Sequence, residues 1–359
     1  MSTTTSAVVP DDSVERFTKP DELFPMNEAI FEGNTRPFAS VVRFGTSAWT
    51  NTGKITVLGQ DGTEKAYFIK VAEGEHAGVI LNGEWESSKK IYELMPDFIP
   101  EPLGCGRFKT NNPACYFYLC EFVNMNITTA PDPNEFASRL AAMHRSSQSP
   151  TGKFGFHTTT GDGKARHTVD WQHSWADFYR TLFLNVCKLD RETNGIWPEL
   201  ERAIELVAYK QDGRSIKPCI IHGDLWDGNS GINVATGKTV LFDAGSYYAH
   251  NEMELGHWRC EFSSIFRDPV YIQSYLQHYP AAEPADEYDD RNRLYSIKGT
   301  MNYSAGHPGS SLRRTAYNDM CYLCEKYAST EGIDEYDPLL DPSLTGARIV
   351  PHSEEGATF

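Results

Sequence analysis

Hydrophobic periodicity changes once along this chain, near Phe122 to Asn126, and that change limits the possible folds more than any single residue does. From Val41 to Val71 the runs "SVVRFGTSAWTNTG", "KITVLGQDGT" and "KAYFIKV" are strand-like and separated by turn residues, so they read as consecutive antiparallel strands. "GVILNGEWESSKKIYELM" then carries Leu81, Trp85 and Ile91 near helical spacing and stops at Pro96. Two more strands follow in "IPEPLGCGRF" and "ACYFYLCEFVNM". Beyond Met125 the period becomes helical in "PNEFASRLAAMHRSS", "WQHSWADFYRTLFLNVCKL" and "ELERAIELVAYK". The expected fold is therefore α+β, with a small β-rich N-terminal part over residues 21–123 and a larger, mostly helical part over 124–350. Residues 1–20 and 351–359 are polar and read as loose ends.

Composition excludes several classes of partner. A formal charge of −16 with no basic stripe argues against binding nucleic acid through its phosphates. An acidic chain that handles a phosphorylated ligand must do so locally, with metal ions, one or two cations and backbone N–H groups. The eight cysteines are dispersed and no apolar leader is evident, which fits a reducing cytoplasm. Cys321 and Cys324 have metal-type spacing but no second ligand pair, so no zinc is assigned to them. No run of about eighteen apolar residues suggests a membrane span.

The stretch "IHGDLWDGNSG" holds His222, Asp224 and Asn229, and the strand-like pieces "SGINV" and "TVLFDA" follow it around the turn "ATGK". A hairpin there would return Asp243 to the side of Asp224 and Asn229. Two carboxylates and an amide suit Mg²⁺ shared with substrate phosphates, and a remaining carboxylate can take the proton of an attacking hydroxyl. The order H-x-D-x-x-x-x-N, then D, is the pattern of a phosphotransferase. Asp224 is the candidate base, Asn229 and Asp243 the candidate metal ligands, and His222 is given a structural role.

The N-terminal half supplies the complement. Lys70 near the end of the third strand and Glu84 on the following helix, with Glu86 as the fallback, form a pair suited to holding the α- and β-phosphates of ATP. "FGTSAWTNTG" lacks a G-x-G-x-x-G pattern, so Gly45, Thr46 and Ser47 are proposed as phosphate contacts through backbone N–H groups and hydroxyls alone.

"HGDLWDGN" followed by "FDAGSYYAHNEMELG" resembles the fructosamine (ketosamine) 3-kinase family, and the resemblance runs from about Gly45 to Leu323. It includes "GEWESS", "CEFVNM", "LAAMHR", "FGFHTTTG" and "WQHSWADFY". The resemblance implies a two-lobed, protein-kinase-like fold and transfer of the γ-phosphoryl of ATP to the 3-hydroxyl of a ketosamine, with Mg²⁺. It also implies adenine contacts along the backbone from Glu121 to Val123, stacking of the sugar on Trp226, and acceptor contacts from the region of Asn302.

The chain departs from the family pattern in two places. Ala244 and Gly245 stand where the family usually has Pro and Ala, and Asn302 is followed by Tyr303 where an Asn-His pair is usual. The second change touches the acceptor side. A kinase for another hydroxylated metabolite or an aminoglycoside-like compound is one alternative, and a nucleotide-binding pseudokinase is another. Glycated protein is a further possible partner. His250 reads as a hydrogen-bonded structural group, Trp171 and Trp175 as core at helical spacing, and "AEPADEYDDRNR", Ala282 to Arg293, as a solvated loop running into a helix.

Overall fold

The computed structural model describes residues 38–346, apart from 46, 48–49, 60, 109–112, 164 and 209–215. Both expected loose ends, 1–20 and 351–359, and Thr46 lie outside the described residues.

Five strands form one antiparallel sheet in the order β1-β2-β3-β5-β4: β1 (Phe38–Arg43), β2 (Asn51–Leu58), β3 (Glu64–Glu73), β4 (Pro102–Arg107) and β5 (Cys115–Glu121). Side chains alternate across a strand, so β3 serves two purposes. Tyr67, Ile69 and Val71 point into one apolar cluster with Val41, Ile55, Val57, Phe117 and Leu119. Lys70 and Ala72 point the other way, and Ala72 joins Leu81, Tyr118 and Cys120 against helix α1 (Glu75–Leu94). A one-residue slip of register would bury Lys70 in the apolar cluster.

Helix α1 begins three residues earlier than the expected start at Gly78, because Gly74 adopts φ 89° and turns the chain out of β3. It ends before Pro96, as expected.

The helical part is built on α2 (Pro133–Ser146), α3 (Trp175–Asn194) and α4 (Pro198–Ala208), followed by α5 (Gly256–Arg259), α6 (Pro269–His278), α7 (Tyr288–Gly306) and α8 (Leu312–Tyr327). Asp132 caps α2 by accepting the Glu135 N–H at 2.8 Å, with Pro133 in the first turn. Ser174 caps α3 by accepting the Asp177 N–H at 3.3 Å. That cap corrects the expectation of a helix from Trp171: Trp171 lies before the helix, while Trp175 opens it and donates from Nε1 to the buried Tyr295 hydroxyl at 2.9 Å. His250 also meets that hydroxyl, at 2.9 Å.

The charged stretch from Ala282 to Arg293 is corrected in part: Glu283 to Asp286 are exposed and run into α7 as expected, but the end of the stretch is not solvated. Arg291 and Arg293 are buried: Arg291 forks onto Glu252 at 2.7 and 3.0 Å, and Arg293 bonds Asp319 and Asp341. A run of charges looks the same in sequence whether it faces water or facing carboxylates. Cys321 and Cys324 are buried on α8, and the cysteines are free thiols. No helix among the described residues is long and apolar enough to cross a membrane.

Candidate active site

Strand β9 (Cys219–Ile221) pairs with β12 (Tyr247–Ala249), and the loop carrying the motif leaves the end of β9. Strands β10 (Ser230–Asn233) and β11 (Thr239–Leu241) form the expected hairpin, pairing Ser230 with Leu241 and Ile232 with Thr239. A short strand β6 (Met125–Asn126) adds to the other edge of β10.

Three side chains fasten the loop. His222 is buried, and its Nε2 lies 2.9 Å from the Phe242 carbonyl. Burial depresses its imidazole, outweighing the opposite pull of Glu254. The Glu254 carboxylate accepts the backbone N–H groups of His222 at 2.5 Å and Gly223 at 3.0 Å, and faces His144 Nε2 at 3.4 Å. Asp227 accepts the hydroxyls of Ser263 and Ser264, both at 2.9 Å. Glu254 and Asp227 were not singled out from sequence, although Asp227 lies within "HGDLWDGN" and Glu254 within "FDAGSYYAHNEMELG".

The loop and hairpin bring Asp224, Asn229 and Asp243 to one wall of a single cleft. Asn229 Nδ2 donates to the Asp224 carbonyl at 2.8 Å and to Asp224 Oδ2 at 2.9 Å. Asp243 is the non-glycine residue with positive φ, 61°, among the described residues. Lys70 Nζ bonds Glu84 Oε1 at 2.8 Å and also contacts the Asp243 carboxylate, so the sheet, α1 and the metal-type hairpin meet at one ammonium. Glu86, the fallback, turns away to Lys89 at 2.7 Å and His157 at 3.0 Å.

A second group of charges stands beside Asp224. Asp162 lies on the short hairpin of β7 (Gly161–Asp162) and β8 (Ala165–Arg166), and His257 lies on α5. One carboxylate oxygen each of Asp162 and Asp224 and one ring nitrogen of His257 lie within 4.8 Å of one another. Lys298 on α7, fully enclosed, reaches Asp162 Oδ2 at 3.5 Å and His167 Nε2 at 3.1 Å. Burial raises the Asp224 carboxyl well above its usual range, and the like charge of Asp162 adds to the rise. Burial pushes Asp162 up as well, but Lys298 and His257 outweigh it and hold that carboxyl low. Sequence reasoning missed Asp162, His257 and Lys298; each comes from a distant segment with no motif spacing to Asp224.

The same cleft, about 870 Å³, is lined by Gly45, Ser47, Lys70, Glu84, Glu121, Val123, Asp224, Trp226, Asn229, Asp243 and Asn302. Every predicted site residue that is described thus lines one cavity. Gly45 (φ 74°) and Ser47 sit in the turn between β1 and β2, where Ser47 Oγ accepts from Thr50 N at 3.2 Å. Glu121 ends β5, and Val123 lies in the link to β6. At the far end Trp226 meets Phe262 edge-on, Phe262 stacks on Tyr303 at 5.4 Å, and Tyr303 stacks on His307 at 4.0 Å. The residue after Asn302 is therefore part of an aromatic wall.

Gly245, where the family usually has Ala, is closely packed in this chain. A Cβ there would lie 2.2 Å from the Gly161 carbonyl oxygen, and one on Gly223 (φ 87°) would lie 2.3 Å from the Gly245 carbonyl oxygen. Close backbone packing of this kind is what seats the Asp162 hairpin beside Asp224. Gly245→Ala is expected to lower stability by about 1–3 kcal/mol by forcing the hairpin outward, as measured by urea denaturation.

Comparison with known proteins agrees with this architecture. The fructosamine kinase family model matches residues 46–318. The protein-ribulosamine 3-kinase of Oryza sativa subsp. japonica is 27% identical over 257 residues, covering 70% of this chain and 72% of that protein. The ketosamine-3-kinase of Mus musculus is 27% identical over 282 residues, covering 68% and 85%. A solved Haemophilus somnus 129PT structure, assigned as a fructosamine-3-kinase, superposes with a TM-score of 0.65 at 19% identity, covering 82% of this chain and 94% of that one. With a two-lobed, protein-kinase-like fold and a family model spanning most of its length, the chain belongs to the fructosamine kinase family, phosphotransferases that act on a sugar hydroxyl.

Proposed function

We propose that this kinase moves the γ-phosphoryl of ATP to the 3-hydroxyl of a ketosamine, with Asp224 as the base. The observation that carries this reading is the meeting of Asp224, Asn229, Asp243 and Lys70 on one cleft. Phosphoryl transfer has a loose, charge-spread transition state, so positioning and electrostatics provide most of the acceleration. Lys70, oriented by Glu84, holds the α- and β-phosphates, while the turn with Gly45 and Ser47 covers them. The backbone of Glu121 to Val123 meets adenine. Trp226 offers its face to the sugar, and Asn302 contacts the acceptor.

The donor set fits Mg²⁺. Asn229 commits its Nδ2 to Asp224, which leaves Oδ1 for a cation, and Asp243 adds carboxylate oxygens. Mg²⁺ held by Asn229 and Asp243 would supply charge neutralisation during phosphoryl transfer. A phosphate on the sugar destabilises the sugar–amine linkage, so the outcome is deglycation of a free adduct or a glycated protein. The free thiols suit a reducing cytoplasm.

The test is phosphate gain by mass spectrometry with Mg²⁺-ATP against fructosyl-lysine, ribulosyl-lysine and glycated protein. Transfer to none of them, with an aminoglycoside accepted instead, would overturn the acceptor assignment. Asn229→Ala is expected to raise the Mg²⁺ concentration for half-maximal rate by about 10-fold or more, read from a Mg²⁺ titration at saturating ATP.

A further inference from the structure

We propose that Asp162 is the specificity-determining residue that receives the acceptor's protonated amine; this rests on the ketosamine reading above. The argument starts from the spacing of two carboxylates. The hydroxyl that is phosphorylated must lie within hydrogen-bond reach of Asp224. An Asp162 oxygen lies within 4.8 Å of an Asp224 oxygen, and the Asp162 side chain is 13% exposed on the same cleft. In a ketosamine three carbons separate the reacting oxygen from the secondary amine, so the two heteroatoms are about 4–5 Å apart by ordinary bond lengths. A molecule with its hydroxyl on Asp224 can thus bring its ammonium within reach of Asp162.

Charge and hydrogen bonding agree with that placement. Asp162 is the ionised carboxylate of the pair, held low against its burial by Lys298 and His257 while Asp224 is pushed up, and the Lys298 ammonium reaches it at 3.5 Å. His257 Nε2 stands 3.8 Å from each carboxylate, too far to occupy their lone pairs. Lys298 touches Asp162 through Oδ2 only, and Oδ1 has no hydrogen bond among the described residues. Oδ1 is the Asp162 oxygen that a further donor can reach. A substrate ammonium meets half the repulsion from the enclosed Lys298 that a divalent ion would meet at the same distance, and it can donate to Asp162 Oδ1. The aromatic wall of Trp226, Phe262 and Tyr303 lines the same cleft and suits the carbon chain beyond the amine.

Asp162 is carried there by packing, since Gly161 and Gly245 approach too closely for a side chain on Gly245. Its function is therefore a property of the β7–β8 hairpin and not of the motif loop.

The experiment compares kcat/KM for N-propyl fructosamine and for the same compound acetylated on its amine, which keeps the sugar and removes the charge. The wild type is expected to prefer the amine by about 10- to 100-fold, and Asp162→Asn to reduce that preference to about 3-fold or less with the KM for ATP unchanged. Asp162→Glu should restore part of the preference. Asp162→Ser is a second neutral variant should the asparagine fail to fold, judged by loss of stabilisation by ATP. Retention of the full amine preference in a folded neutral variant overturns the assignment, as does equal use of both acceptors by the wild type. Phosphate gain on neither compound, despite stabilisation by ATP, overturns the ketosamine reading and this assignment together.

Discussion

Asp224→Asn is expected to lower kcat by about 10²- to 10⁴-fold while leaving the KM for ATP within a few-fold of wild type. The substitution keeps the side-chain shape and the hydrogen bond with Asn229, because the amide oxygen can still accept from Nδ2. It removes the atom that takes the proton. Single-turnover phosphate transfer with saturating Mg²⁺-ATP separates this from a binding defect. A variant that keeps the wild-type rate would show that the hydroxyl loses its proton elsewhere, and the role of base would pass from Asp224.

Glu254→Gln should cost about 2–4 kcal/mol of stability, measured by urea denaturation at neutral pH. The carboxylate is enclosed and accepts two consecutive backbone N–H groups, those of His222 and Gly223, with His144 at its other side. A glutamine has one oxygen, so one N–H would face an NH₂ group. The pH dependence has a definite sign. Burial alone would raise the Glu254 carboxyl, but its hydrogen bond and charge contact with His144, together with His222, bring it below the ordinary value of 4.5. Its contribution is fully present above about pH 4.5 and is lost as the pH falls through the lower folded value. The stability gap between wild type and Glu254→Gln should therefore narrow in acid. A gap that stays constant from pH 7 to the acid limb would show that the ionised carboxylate is not what holds the loop.

The parts of the site that were legible in sequence share one property: they lie on elements whose local pattern already determines where they point. Lys70 follows from alternation along β3, Glu84 from one helical turn of α1, and Asp243 from a hairpin whose turn residues are plain in "ATGK". Asp162, His257 and Lys298 follow from none of these. They meet because a hairpin, a single helical turn and the middle of α7 pack together, and no spacing in the chain encodes that meeting. The start of α3 was misplaced for a related reason: Trp171 fits the helical period, but the Ser174 side chain is what begins the helix. The buried arginines of α7 show the same limit, since their carboxylate partners Glu252, Asp319 and Asp341 come from three other segments.

The pairing of β6 with β10 makes the strap between the lobes part of the platform that bears Asn229 and Asp243. Ile232 faces Asn126 and Asn233 faces Met125, so the strap cannot swing without tearing the hairpin's outer edge. Any relative motion of the two lobes would then have to be taken up between the end of β5 at Glu121 and Met125. In such a motion Lys70 and the β1–β2 turn would shift relative to Asn229 and Asp243.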